Sequence, residues 1–175
     1  MKIAIAGAGA VGRSIARKLL ANAHEVTLFE RLASHIDTAA VPEATWVLGD
    51  ACELTNLERA QLHLFDVMIA ATGDDKANLV VSLLAKTEFA VNRVVDRVND
   101  PRNEWLFGED WGVDVAVSTP RLLASLVEEA VSVGDLVRLM TFRQGQANLV
   151  ELTLPANTPL AGKPVRKLAL PRDAA

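Results

Sequence analysis

Residues 1–30 read MKIAIAGAGAVGRSIARKLLANAHEVTLFE, and this stretch decides the fold. Lys2 to Ala6 is an apolar run of strand length, followed at once by Gly7-Ala8-Gly9-Ala10-Val11-Gly12. Val11, Ile15 and Leu19 then recur every four residues, with Ala16 and Leu20 beside them, the period of a helix with one buried stripe. Asn22-Ala23-His24 breaks that stripe, Glu25 to Phe29 is strand-like again, and Glu30 stands at its end. Strand, glycine turn, helix, strand and terminal acid together make the βαβ signature of a dinucleotide-binding unit.

Each part has a physical role. Gly7 permits the tight turn out of the strand, Gly9 has no side chain to hold a pyrophosphate away from the backbone, and Gly12 lets the helix approach the sheet. The helix N-terminus offers unpaired N–H groups and a partial positive charge, both suited to phosphate. Glu30 lies 18 residues after Gly12, near the spacing of about 20 for the acid that accepts hydrogen bonds from ribose hydroxyls. A carboxylate there repels a 2′-phosphate, so NAD(H) or an unmodified adenosine nucleotide is favoured over NADP(H). Arg31 has two readings: an arginine just after the acid can accept a 2′-phosphate, or it is an ordinary surface charge.

The bulk properties narrow the classes. A chain of 175 residues, half of them hydrophobic, suits one domain plus an appendage. Its formal charge is −4 and no lysine-arginine cluster occurs, which argues against a nucleic-acid partner. Cys52 is the single cysteine, so no disulfide framework forms within one chain and a reducing cytoplasm fits. It reads as a redox sensor or as a small half-buried thiol. The N-terminus enters a strand immediately, so no leader is expected, and no apolar run reaches the 18 or so residues of a membrane span. The expected protein is soluble and acts at a membrane only through a partner.

Along the chain, Ser34-His35-Ile36-Asp37 reads as a short helix start, with an acid three residues after a capping serine. Thr45 to Leu48 is a third strand ended by Gly49-Asp50. Asp50 has two readings as well. It sits where an open α/β sheet binds ligands, and it also begins Asp50-Ala51-Cys52-Glu53, which resembles a capping box. Asp66 to Ala71 is a continuous apolar run, as in a central parallel strand. Thr72-Gly73-Asp74-Asp75 follows, then a helix from about Lys76 to Glu88. Thr72 and Gly73 are a second candidate phosphate or ribose contact, or merely a turn with an aspartate N-cap. Asn92 to Val98 is a fifth strand, Asn99-Asp100-Pro101 opens a helix, and Val113 to Val117 is a sixth strand. The alternation predicts a doubly wound parallel sheet.

From Pro120 the pattern changes. Leu122, Leu123, Leu126, Val127, Ala130 and Val131 form a wide apolar stripe on a helix ending near Gly134, suited to pairing with another subunit or to covering the sheet. Leu136 to Phe142 and Leu149 to Leu154 read as antiparallel strands around Arg143-Gln144-Gly145-Gln146, before a tail rich in proline and small residues. The expected division is residues 1–134 and 135–175.

The sequence offers little for catalysis. Residues 135–175 are too few for a substrate domain, and the absence of tyrosine removes the tyrosine-lysine pair of short-chain dehydrogenases. His24, His35 and His63 are scattered, without metal spacing, and no Ser/His/Asp or Cys/His nucleophile stands out. A binder that leaves its ligand unchanged transmits occupancy instead. The competing reading is a minimal NAD-dependent dehydrogenase or reductase completed by a partner chain.

Lys2 to Gly12, Val47-Leu48-Gly49-Asp50-Ala51, Ala70 to Leu79, Arg97 to Pro101 and the late amphipathic helix together resemble the TrkA-N, or RCK, domain family. These are cytosolic regulators of K⁺ channels and Trk/Ktr potassium transporters, with a Rossmann fold. Residues 136–175 resemble the opening of the family's C-terminal RCK domain, cut short or abbreviated. The resemblance implies a peripheral subunit at the inner face of the cell membrane that binds NAD(H) or ATP/ADP. It also implies a homodimer or ring, a potassium transporter membrane subunit as partner, and room for a second RCK subunit. The implied site residues are Gly7, Gly9, Ala10, Val11 and Gly12 at the phosphates, Glu30 with Arg31 at the ribose, and Asp50 with Ala51 near the adenine. Thr72 and Gly73 would approach the rest of the nucleotide, with Arg97 by the cleft. Ala10 stands where some ATP-gated members place an arginine, which leans toward NAD(H) or ADP. Ser118-Thr119-Pro120 lacks the acid some relatives use for a cation, so no metal is expected.

Overall fold

In the computed structural model the chain forms β1 (Lys2–Ala6), α1 (Ala10–Ala21), β2 (Glu25–Glu30), β3 (Thr45–Leu48), α2 (Leu54–Arg59), β4 (Val67–Ala70), α3 (Asp75–Thr87), β5 (Arg93–Val98), β6 (Val115–Ser118) and α4 (Thr119–Val131). Two further strands, β7 (Leu136–Thr141) and β8 (Asn148–Leu152), make a separate antiparallel pair with an irregularity between Arg138 and Met140. The residues described are 1–131, 136–141, 148–154 and 157–164. Gly134, Phe142, the Arg143–Gln146 turn and the end of the tail lie outside them. Two units cluster, Met1–Arg121 and Leu122–Ala175.

The first six strands form one sheet in the order β3-β2-β1-β4-β5-β6, every pair parallel. The doubly wound α/β sheet expected from the sequence is therefore present, with the short β appendage after it. β1 sits in the middle because Ile3, Ala4, Ile5 and Ala6 are buried on both faces. On one face Ala4, Ala6, Phe29 and Met68 pack with Leu57 of α2 and with Val81 and Ala85 of α3. On the other, Ile3, Ile5, Val26 and Leu28 pack with Ile15, Ala16, Leu19 and Leu20, the stripe read on α1. A smaller cluster of Leu79, Val98, Phe107 and Val113 closes the β5 side.

Three local expectations are corrected. The Ser34–Asp37 helix start is only a 3-10 turn, Ala33–His35. Asp37 instead accepts from the Ala40 N–H at 3.2 Å. No apolar stripe follows to bury a helix face, and Pro42 bars continuation. The segment opened by Pro101 is also 3-10, Pro101–Leu106, although proline does take its first turn and the Asp100 side chain caps the Arg102 N–H. β6 begins two residues late, because Val113 turns into the Phe107 cluster before the ladder starts. On α4, Leu123, Leu126, Val127 and Val131 are 61%, 44%, 54% and 76% exposed.

Candidate functional site

A cleft of about 400 Å³ opens at the carboxyl ends of β1 to β4. Gly7 and Gly9 line it from the first loop, and Glu30, Arg31, Leu32 and His35 from the second. Gly49, Asp50, Ala51 and Cys52 follow β3 there, and Thr72, Gly73 and Asp74 follow β4. Ligands bind open parallel sheets at this edge, outside the carboxyl ends of the strands.

The glycine turn has a different constraint at each position. Gly7 takes φ +96°, and a Cβ there would stand 2.9 Å from the Thr72 Cα, so β1 and β4 close to backbone distance. A Cβ on Gly12 would lie 1.9 Å from the Gly7 carbonyl oxygen. A Cβ on Gly9 would meet nothing within 4 Å. Gly12 is thus required by protein packing, while Gly9 is free of it and faces the cleft. Gly9 is also the N-cap of α1, with no side-chain cap and no acid in the first turn, so the helix end presents bare N–H groups. Open space beside uncapped N–H groups fits a phosphate. Ala10, Val11 and Gly12 begin the helix behind Gly9 and are not among the cleft-lining residues.

Glu30 stands across from this turn. Its Oε2 accepts from the Ala8 N–H at 3.2 Å and its Oε1 from the Leu32 N–H at 3.0 Å. The carboxylate therefore braces the glycine turn against the loop after β2, and each oxygen keeps a lone pair for a further donor. His35 Nδ1 lies 3.7 Å from Oε1. Arg31 lines the cleft beside them.

Asp50 does not form the capping box: α2 begins at Leu54 with Glu53 as N-cap. Its Oδ1 accepts from the Cys52 N–H at 2.9 Å, a local turn that holds the carboxylate at the cleft. Cys52 Sγ points at the Ala77 carbonyl, 3.7 Å away. Burial, reinforced by the Asp50 carboxylate, pushes its thiol up to about 11. A thiol that stays protonated at neutral pH is a weak nucleophile, which favours the structural reading over the redox one.

The loop after β4 is built differently. Asp74 caps α3 by accepting from the Lys76 N–H at 2.9 Å, and Asp75 adds a second acid in the first turn. An anion at this helix end would meet two carboxylates of the cap and first turn, whereas the first turn of α1 carries none and the nearby Glu30 carboxylate is engaged by the Ala8 N–H before it. The Thr72 hydroxyl donates to Asn78 Oδ1 at 2.6 Å and accepts from the Asp74 N–H at 3.2 Å. Thr72 and Gly73 shape the cleft wall, and the hydroxyl has a second acceptor within reach, the Asp74 carbonyl at 3.0 Å. Arg97 is not among the lining residues; its carbonyl accepts from Asn78 Nδ2 at 2.8 Å. Sequence reading missed Leu32, His35, Cys52 and Asp74 as lining residues, and missed the fully buried Asn78 behind them. An amide four residues beyond an aspartate cap, on the inward side of an amphipathic helix, was the available signal for Asn78.

The model for the "TrkA-N domain" matches residues 3–119. Over 175 residues the chain is 73% identical to the Trk system potassium uptake protein TrkA of Mycobacterium tuberculosis, covering all of this chain and 80% of that protein. Among solved structures, the GsuK RCK domain superposes with TM-score 0.64 at 26% identity, over 75% of this chain and 29% of that one. GsuK bound to ADP superposes with TM-score 0.65 at 25% identity, over 73% and 33%. Family match, close relative and superposed fold agree, and the chain belongs to the TrkA-N domain family.

Proposed function

We propose that the chain is a non-catalytic regulatory subunit of a potassium uptake system, binding NAD(H) or an adenosine nucleotide in this cleft and reporting its occupancy to a membrane partner. The observation that carries the reading is the pairing of an uncapped α1 N-terminus at Gly9 with the Glu30 carboxylate beside it in the same cleft. A relative 73% identical is named for potassium uptake, and an RCK structure at 25% identity is bound to ADP. In this reading Gly7, Gly9, Ala10, Val11 and Gly12 form the phosphate turn and Glu30 holds the ribose beside Arg31. Asp50 and Ala51 border the adenine, Thr72 and Gly73 form the far wall, and Arg97 stands behind it. Residues 1–134 are the nucleotide-binding lobe and 135–175 the opening of a C-terminal RCK domain. The exposed apolar residues of α4 pair with a second copy, and the assembly works at the cytoplasmic face of the membrane through its transporter.

Calorimetric titration with NADH, NAD, NADPH, ATP and ADP tests this. Binding of a ligand with a free 2′-hydroxyl is expected, weakened at least tenfold in Glu30→Ala, about 1.4 kcal/mol. If NADPH binds tightest, the role of Glu30 is wrong. Sustained NADH loss with small carbonyl substrates would overturn the non-catalytic reading in favour of a reductase. Gly9→Ala supplies an independent check: its methyl enters space that protein atoms leave open, so the urea midpoint should hold while affinity drops roughly tenfold. Unchanged affinity in that variant would remove the phosphate from Gly9.

A further inference from the structure

Asp75 opens α3 immediately behind the cleft wall and is 7% exposed. Its Oδ1 accepts from the Asn99 N–H at 2.7 Å and from Asn99 Nδ2 at 2.9 Å. Its Oδ2 accepts from the Asp100 N–H at 3.0 Å and from Asn103 Nδ2 at 2.8 Å. The same Asn99 amide donates its other hydrogen to the Thr72 carbonyl at 3.1 Å. One buried carboxylate thus joins a cleft-lining loop to the end of β5 and to the Pro101–Leu106 turn. That turn reaches α4 in its own right, since Glu104 pairs with Arg121 at 3.1 Å.

We infer that the Asp75 carboxylate couples occupancy of the cleft to the Pro101–Leu106 turn, with Asn103 as the bond through which the turn responds. The physical basis is ordering. A ligand seated against Thr72 and Gly73 restricts the loop whose carbonyl Asn99 holds. Asn99, fixed at both ends, restrains Asp75, and Asp75 restrains the two donors it shares with the turn. A second element that is already ordered loses less entropy when it is engaged, which links two sites without a large displacement. The coupling is read at its far end, at the Pro101–Leu106 turn. The inference rests on the nucleotide reading of the cleft.

Amide hydrogen exchange of the full chain, free and saturated with ADP or NADH, tests it, with affinity measured on the same samples. In the wild type, ligand should slow exchange across residues 99–107 at least fivefold. Asn103→Ala touches no cleft residue; it should keep affinity within threefold and lose most of that slowing. Arg102→Ala perturbs the same turn but only through its own bonds to Asp100, and it should keep the response. Bound nucleotide without protection at 99–107 in the wild type overturns the inference and leaves the cleft reading standing. Protection retained in Asn103→Ala, or lost equally in Arg102→Ala, overturns it too. Should neither nucleotide bind, the cleft reading falls and takes the coupling with it.

Discussion

Gly12→Ala is expected to lower folding stability by about 3 kcal/mol, against a helix-propensity gain of about 1 kcal/mol that alanine would normally bring. The added Cβ would lie 1.9 Å from the Gly7 oxygen and 3.1 Å from the Gly7 carbonyl carbon, both backbone atoms. No rotamer change can relieve a clash between a Cβ and a carbonyl. Gly7 cannot retreat either, because its own α-carbon faces the Thr72 backbone, with 2.9 Å left for any Cβ. The strain must therefore move α1 off β1, opening the contact of Ala16 and Ile15 with Ile3 and Ile5. Urea unfolding followed by circular dichroism should show a midpoint lowered by more than 1 M, using a slope of roughly 2 kcal/mol per molar for a chain of this size. Gly9→Ala, three residues earlier with open space around its added methyl, is the internal control with no lost stability. A Gly12→Ala midpoint within 0.3 M of wild type would show that the α1–β1 approach is not tight.

The sheet was legible because its signals are local and mutually consistent. Continuous apolar runs at Lys2–Ala6 and Asp66–Ala71, each followed by a helix of period near 3.6, leave few alternatives to parallel winding. The glycine turn was legible for the same reason: spacing alone marks Gly7 as the turn and Gly12 as the packing contact, as their backbone surroundings have it. What the sequence did not disclose depends on where loops go. Asp50 read equally well as a cap or a cleft residue, and only the start of α2 at Leu54 separates them. His35 and Leu32 reach the cleft because the 3-10 turn folds back over Glu30, a path with no periodicity to read. Thr72 read either as a ligand contact or as part of a capped turn; it lines the cleft, and its hydroxyl also lies against Asn78, a partner six residues on that only the helix brings near. Buried polar partners across loops are set by three-dimensional closure, and Asp75 is the largest instance.

Asp75→Asn is expected to cost about 3 kcal/mol at neutral pH, because an amide cannot accept at both ends. Whichever way the new side chain turns, its NH₂ faces two donors, either both from Asn99 or those of Asp100 and Asn103. The wild-type carboxylate shows the converse in its acidity. Burial alone would raise it, but the four hydrogen bonds, from Asn103, from the Asn99 and Asp100 N–H groups and from the Asn99 amide, hold it below the usual carboxylate value. A group whose acidity is strengthened by folding binds protons more readily when unfolded. It therefore contributes stability that is fully present above the unfolded value, near 3.9, and is lost as pH falls through the lower folded value. The stability gap between wild type and Asp75→Asn should stay level from pH 7 to about 5 and narrow below about 4, where the wild type begins to lose what the variant never had. Urea midpoints at pH 7, 5 and 3.5 measure this directly. A gap that widens in acid, or stays constant throughout, would mean that Asp75 is not the charged centre of the network joining Thr72, Asn99 and Asn103.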